Sequence, residues 1–336
     1  MEATLGDFVE WNEAFHEERE EREELDSDSL CTYGISALDD ALFCIGKNEL
    51  ITIGADTGMG KTELSLSIAQ HNAKNGKRVA VYHLEGGHKE AIRRMKWRDI
   101  TAKYYDNYKY TKTDMDFKKW MYNKTQSDLL VQLEGEVYKE YTEKYKDNLY
   151  LYAVDDQFTC DSLMMSLLGF HELLTTNLDL DLVIIDHLQY FSLTKSDNEI
   201  SEITKILREV KRITEYYNIP IILISHLRKR GKNAGLPTHE DFYGSGNIAK
   251  ISTTSIMISP ATDKDSISRN LYPTYLRVVK SRVGVRPNYA FLLNFDLNQR
   301  KYEDEYSIYR VNTFGEVGDN SLTKGELPKW AKKNIT

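Results

Sequence analysis

The sequence predicts an α/β fold: a mainly parallel central sheet flanked by helices, with an antiparallel extension toward the C-terminus. Two observations carry this. From Cys31 onward, short aliphatic and β-branched runs alternate with helical patterns: Glu49 to Ile53, Val79 to Leu84, Leu149 to Val154, Leu182 to Ile185 and Pro220 to Ile224. Consecutive apolar positions in these runs mark strands buried on both faces, which a helix-covered parallel sheet requires. After Ser252 strands continue without long helices between them, in Thr254 to Ile258, Tyr275 to Lys280 and Tyr289 to Phe295. Strands joined by short connections run antiparallel.

The 336 residues, 41% of them apolar, suffice for a sizeable core. Neither a run of eighteen or more apolar residues nor a signal-peptide pattern is present, so the expected location is cytoplasmic, with no membrane partner. Cys31, Cys44 and Cys160 show no metal-ligand spacing and read as plain thiols in a reducing compartment. A net charge of -8 argues at first against nucleic acid. Residues 1–28, however, hold twelve acidic residues against Arg19 and Arg22, which leaves the rest of the chain at about +2. A local basic surface is therefore compatible with the composition.

Three segments are expected. Residues 1–29 form an acidic leader in which Leu5, Phe8, Val9 and Phe15 give an amphipathic helix, able to fold back on its own domain or dock on a neighbouring subunit. Residues 30–310 form the main domain, with an enlarged Tyr- and Lys-rich segment at 97–148, and residues 311–336 a tail. Tyr104, Tyr105, Tyr108, Tyr110, Trp120 and Tyr122 in the enlarged segment interleave with Lys103, Lys109, Lys118 and Lys119. The aromatics serve either as the core of a helical insertion or as a stacking surface for single strands.

The chemistry centres on the first strand. It runs into Ala55-Asp56-Thr57-Gly58-Met59-Gly60-Lys61-Thr62 and then into a helical pattern, the strand, loop, helix context of a P-loop, with Ala55 where a glycine usually stands. Small residues there let backbone N–H groups close on phosphates, Lys61 reaches the β and γ phosphates, and the Thr62 hydroxyl ligates magnesium. The implied cofactors are ATP and Mg2+. Asp186 ends Leu182 to Ile185 and is the matching magnesium carboxylate. Glu85, just after the Val79 to Leu84 strand, is the candidate base that orients the attacking water, although a strand-end Glu can equally be a solvated surface residue. Ser225 and His226 end the Pro220 to Ile224 strand, where a side chain could sense the γ phosphate.

Taken in order, the P-loop, His83-Leu-Glu85, Ile185-Asp186-His-Leu-Gln189, Ile224-Ser-His226-Leu and Gly244-Ser-Gly246 resemble the RecA-like motor of DnaB-type replicative DNA helicases, nearest to the phage T7 and Twinkle branch. Tyr33-Gly-Ile-Ser-Ala-Leu-Asp39 is similar to that family's lead-in, and the resemblance spans about residues 30–300. It implies a RecA-like P-loop NTPase, a homo-oligomer and commonly a hexamer, that hydrolyses nucleotide between subunits while moving on single-stranded DNA in prokaryotic or viral replication. It also implies Glu85 as catalytic base, Asp186 as magnesium ligand and His226 as γ-phosphate sensor. Val278-Val-Lys280-Ser-Arg282 resembles the basic strand that reaches a neighbour's nucleotide, with Arg282 as the arginine finger beside Lys280.

DNA contact in that family falls on loops equivalent to Arg228-Lys229-Arg230-Gly-Lys232-Asn233 and Tyr243-Gly244-Ser245-Gly246, where cations and glycine N–H groups meet phosphate. Relatives commonly carry Arg where Tyr243 stands, and Tyr can stack on a base but cannot pair with phosphate as a cation. Only the acidic leader precedes the motor, so a primase would be a separate partner. Two function classes follow: a replicative helicase, or a RecA-like, DNA-stimulated ATPase that mediates recombination or switches an assembly without unwinding. Glu85, His226 and Arg282 favour the first.

Overall fold

The structure is a computed structural model and describes residues 10–24, 26, 29–55, 58–107, 115–124, 127–153, 157–173, 180–191, 199–231, 234–243, 247–261, 271–282 and 284–331. Of the positions singled out above, Leu5, Phe8, Val9, Asp56, Thr57, Tyr108, Lys109, Tyr110, Lys232, Asn233, Gly244, Ser245 and Gly246 lie outside the described residues.

Ten strands form one sheet: β1 (Leu50–Ala55), β2 (Val79–His83), β3 (Leu149–Leu151), β4 (Leu182–Asp186), β5 (Ile221–His226), β6 (Thr254–Pro260), β7 (Leu271–Ser281), β8 (Tyr289–Asp296), β9 (Lys301–Val311) and β10 (Val317–Ser321). Their order is β10-β9-β8-β7-β6-β1-β5-β4-β2-β3. The pairs from β3 to β6 are parallel, and those from β6 to β10 are antiparallel. The mainly parallel core with its antiparallel extension is thus as expected. One detail differs: β6 belongs to the parallel part, because the short helix α9 (Asn247–Ile251) carries the chain across before β6 pairs with β1. Residues 311–331 continue the same body, since β10 extends the sheet and Leu327 and Ala331 are buried.

The period-two alternation of the strands sorts side chains onto two faces. Ile51, Ile53, Ile184, Ile222 and Ile224 pack on one side with Leu64 and Ile68 of α3 (Lys61–Lys74). Leu50, Val183, Ile185, Ile221 and Leu223 pack on the other with Leu163 and Leu167 of α7 (Cys160–Leu173) and with α8 (Glu199–Tyr217). α8 buries Ile203, Ile206, Leu207, Val210 and Ile213, the three-and-four spacing of a helix that offers one apolar stripe.

The enlarged segment folds as α4 (Gly87–Asn107), α5 (Phe117–Met121) and α6 (Asp128–Lys144). Asp116 and Ser127 cap the last two by accepting from Lys119 N and Leu130 N. Trp97, Tyr104, Trp120, Leu130, Leu133 and Val137 form the segment's own core, so these aromatics serve packing. Trp97 Nε1 donates to Asn298 O at 2.7 Å and Arg98 Nε to Arg300 O at 2.9 Å, which fastens α4 to the β8–β9 turn. The leader contributes α1 (Trp11–Glu24), whose Trp11 and Phe15 are exposed. Burial pushes the Cys31 thiol up to about 12, consistent with an inert packing role.

Gly54 is required by packing. A β-carbon there would lie 2.7 Å from Phe242 Cε1, 2.8 Å from Leu227 Cδ2 and 2.8 Å from Met257 Sδ. Gly54→Ala is therefore expected to destabilise the fold by about 1–3 kcal/mol through overpacking, read as a lower midpoint in urea denaturation.

Candidate nucleotide site

In-register pairing across β1, β5, β4 and β2 aligns the carboxyl ends of four parallel strands. Ala55 pairs with His226 and His83 with Asp186. Open α/β sheets bind ligands at this edge. Beside it α3 starts at Lys61, after Gly58 at φ +81° and Gly60 at φ +79°, left-handed conformations that glycine adopts without strain. The N-cap, Gly60, has no side chain, and among the described residues none caps α3, so its first N–H groups are open to an anion, which the helix dipole also favours. A β-carbon on Gly58 would meet nothing within 4 Å, so the loop opens onto free space. That space is a cleft of about 380 Å³ lined by Gly58, Gly60, Lys61, Thr62, Glu85 and His226 among others.

Lys61 Nζ donates to Ala55 O at 2.8 Å and to His226 Nδ1 at 2.9 Å. The second bond sets a chain of proton positions, because an ammonium only donates. His226 Nδ1 must accept, so its proton sits on Nε2 and points at His187 Nε2, 3.1 Å away. The His187 proton then lies on Nδ1 and is donated to Gln189 Oε1 at 2.9 Å, while Gln189 Nε2 donates to Ser225 Oγ at 3.2 Å. Both rings are neutral. Burial, then the Lys61 charge, push His226 down to about 4, and burial likewise holds His187 below the usual imidazole value. Glu85 Oε2 lies 3.3 Å from His187 Nε2, with its side chain 52% exposed to the cleft. Because that ring is neutral, the contact with Glu85 is not an ion pair.

Asp186 is buried, and its Oδ2 stands 3.3 Å from His83 Nδ1. The pair is not aligned for a hydrogen bond, so among the described residues both carboxylate oxygens remain without hydrogen-bond partners. Burial alone would push this carboxyl up, but the close His83 and Thr62 side chains hold it below the usual range. An ionised, buried carboxylate with two unspent oxygens beside the Thr62 hydroxyl fits a magnesium ion. Among the described residues no three His, Cys, Asp or Glu cluster to hold a metal by themselves, so phosphate oxygens would have to complete the shell.

The outer half of the cleft was not legible from the sequence. Glu63, the next residue after Thr62, is buried among three guanidiniums: Arg94, Arg98 Nη2 at 2.8 Å and Arg300 Nε at 2.7 Å. Burial would raise its carboxyl, and Arg98, Arg300 and Arg94 together hold it down. Arg300 arrives from 237 residues away, which no local pattern signals. Tyr302 and Phe295 close over Gly60, and the Tyr302 hydroxyl donates to Met59 O at 3.4 Å. His83 and His187 were visible only as members of strand-end motifs.

Ala55, Gly58, Met59, Gly60, Lys61, Thr62, Glu85, Asp186 and His226 are thus brought together, while, among the described residues, Lys280, Arg282, Arg228, Lys229, Arg230 and Tyr243 do not line this cleft. Lys280 Nζ donates to Ala249 O at 2.5 Å, Lys250 O at 3.0 Å and Ser252 O at 2.6 Å, closing the C-terminal end of α9 within its own chain. Arg282 is exposed at the end of β7. Arg228 donates from Nε to Asp241 Oδ1 at 3.2 Å, Arg230 from Nη1 to Gly235 O at 2.6 Å, and Lys229 is exposed. Tyr243 N donates to His226 O at 2.9 Å, which ties this basic region to the strand end that holds His226.

The parallel sheet, the glycine-bordered start of α3 and the row of strand-end side chains define a P-loop domain of RecA-like architecture. The family described as DnaB-like helicase C terminal domain matches residues 31–304, and the chain belongs to it. A probable replicative DNA helicase of Trieres chinensis is 32% identical over 130 residues, 37% of this chain and 28% of that protein. Replicative DNA helicase DnaC of Bacillus subtilis (strain 168) is 26% identical over 220 residues, 64% of this chain and 44% of the relative. The matches thus span less than half the length of these curated relatives. Among solved structures, one described as an ATPase domain superposes with a TM-score of 0.72 at 20% identity, covering 89% of this chain and all of that one. A DnaB-like replicative helicase, described with its interactions with primase, superposes at 0.64 and 20% identity, over 88% of this chain and 67% of the other.

The His226 shift carries a sign. The unfolded chain takes up a proton near the ordinary value of 6.5, whereas the folded ring refuses it until about 4. This contribution to stability is therefore present above 6.5 and is lost as the pH falls toward 4. Urea denaturation across that window should show a shallower loss for His226→Asn than for the wild type; an unchanged slope would exclude a neutral His226.

Proposed function

We propose that the chain is the motor of a DnaB-type replicative DNA helicase, coupling ATP hydrolysis to movement on single-stranded DNA and duplex unwinding. The observation that carries this reading is the row of Lys61, His226, His187 and Glu85 along one sheet edge, with Asp186 beside it, in a chain of that family. Lys61 and the α3 N-terminus bind the phosphates. Thr62 and Asp186 would hold magnesium, which when bound neutralises charge developing on the phosphoryl oxygens. Glu85 orients the attacking water and accepts its proton, because it is a cleft-facing carboxylate opposite a neutral imidazole. His226, bonded to Lys61, senses whether the lysine has turned to a γ phosphate.

The reading extends to an assembly. Arg282, exposed and not among the residues lining its own cleft, acts in a neighbour's site as an arginine finger. Arg228, Lys229, Arg230 and Tyr243 hold the single strand, and Tyr243 links that surface to His226. The exposed Trp11 and Phe15 of α1 support docking of the leader on a neighbouring subunit. A hexamer fits this arrangement, and a primase is the expected external partner.

With magnesium and ATP on a forked duplex, the protein is expected to displace a strand. Lys61→Ala should abolish hydrolysis and unwinding. Glu85→Gln should lower kcat by about 10²–10⁴-fold while nucleotide binding persists. Hydrolysis stimulated by single strands without displacement would overturn the helicase reading in favour of a recombination or switching ATPase. Removal of residues 1–25 should shift the oligomer to smaller species in sedimentation; an unchanged distribution would refute docking of α1.

A further inference from the structure

Outside the nucleotide cleft lies a groove of about 660 Å³ between the basic region at Arg228 to Gly231 and the turn joining β9 to β10. A groove of this size accommodates a nucleotide-scale ligand. Arg228 and Lys229 stand exposed on one wall, and Phe314, 80% exposed, stands on the other.

A single exposed aromatic is ordinarily without meaning. Phe314 differs in how firmly it is displayed. Asn312 Oδ1 accepts from Phe314 N at 2.9 Å and Glu316 N at 3.0 Å, Gly315 N donates to Asn312 O at 3.1 Å, and Gly315 takes φ +84°. The turn is also fastened to the basic region. Leu236 N donates to Gly315 O at 2.7 Å, and a β-carbon on Gly235 would come within 2.7 Å of Gly315 C. The backbone that carries this ring is thus held in place, and the exposed ring lines the same groove as cations from a separate part of the sequence. The groove's own carboxylates, Glu240 and Asp241, lie with the basic region, and Asp241 is already engaged by Arg228 and by Thr238 N at 2.8 Å.

We propose that this groove takes single-stranded nucleic acid, with Phe314 stacking on a base while Arg228 and Lys229 face the phosphates. Cations supply sequence-independent attraction, and an exposed aromatic face supplies stacking that every base can satisfy. The proposal rests on the DNA-binding reading above and adds to it a residue from the β9–β10 turn.

The test measures fluorescence anisotropy of a labelled oligothymidylate, and of an abasic strand of equal length, with wild type, Phe314→Ala, Phe314→Trp and Lys229→Ala. Phe314→Ala should weaken oligothymidylate binding roughly tenfold and leave the abasic strand unaffected, while Phe314→Trp retains affinity. Lys229→Ala should weaken both strands alike and flatten the salt dependence. Wild-type affinity of Phe314→Ala for oligothymidylate, or equal losses on both strands, overturns the stacking role while DNA binding stands. Failure of the wild type to bind either strand overturns the DNA-binding reading itself.

Discussion

Everything in this domain depends on the parallel pairing of β1 with β5 on one side and β6 on the other. Parallel strands with helices on both faces must be apolar throughout, so such a strand can place reactive side chains only where it leaves the sheet. Register then decides what meets what. Ala55 stands opposite His226 and His83 opposite Asp186, so groups from distant parts of the chain arrive at one edge without any loop having to carry them there. The P-loop leaves that edge directly, and the charge of Lys61 orders the neighbouring imidazoles by fixing which nitrogen of His226 bears the proton.

The strands of the parallel part were legible because full burial writes itself as unbroken aliphatic runs. Predicted and observed limits differ by a residue or two for β1, β2, β4 and β5. β9 and β10 were not, since Lys301 to Val311 and Val317 to Ser321 carry exposed charged and polar residues on a half-covered sheet. The inner half of the cleft was readable because each residue ends a recognisable strand or opens a helix. Its outer half was not, because the Glu63 cluster joins the first turn of α3 to Arg94, Arg98 and Arg300, and proximity of that kind exists only after folding.

The Glu63 cluster suits its position beside the phosphate loop on electrostatic grounds. Three guanidiniums around one buried carboxylate leave a local excess of positive charge at the mouth of a cleft suited to polyanions. The same arrangement ties α3, α4 and the β8–β9 turn together, so the wall of the cleft comes from three elements braced against one another. Removing Glu63 would leave the three guanidiniums without the carboxylate they share.

Gly54 gives the phosphate loop a second relationship. Phe242, from the segment that also carries Tyr243, rests in the hollow left by the missing methyl, against the strand that delivers Ala55 and Lys61. Interiors tolerate few voids. A displacement of that segment would draw the ring out of its seat and leave a gap beside the strand that delivers the phosphate loop, so the segment proposed to hold DNA and the loop proposed to hold phosphate share one packing contact.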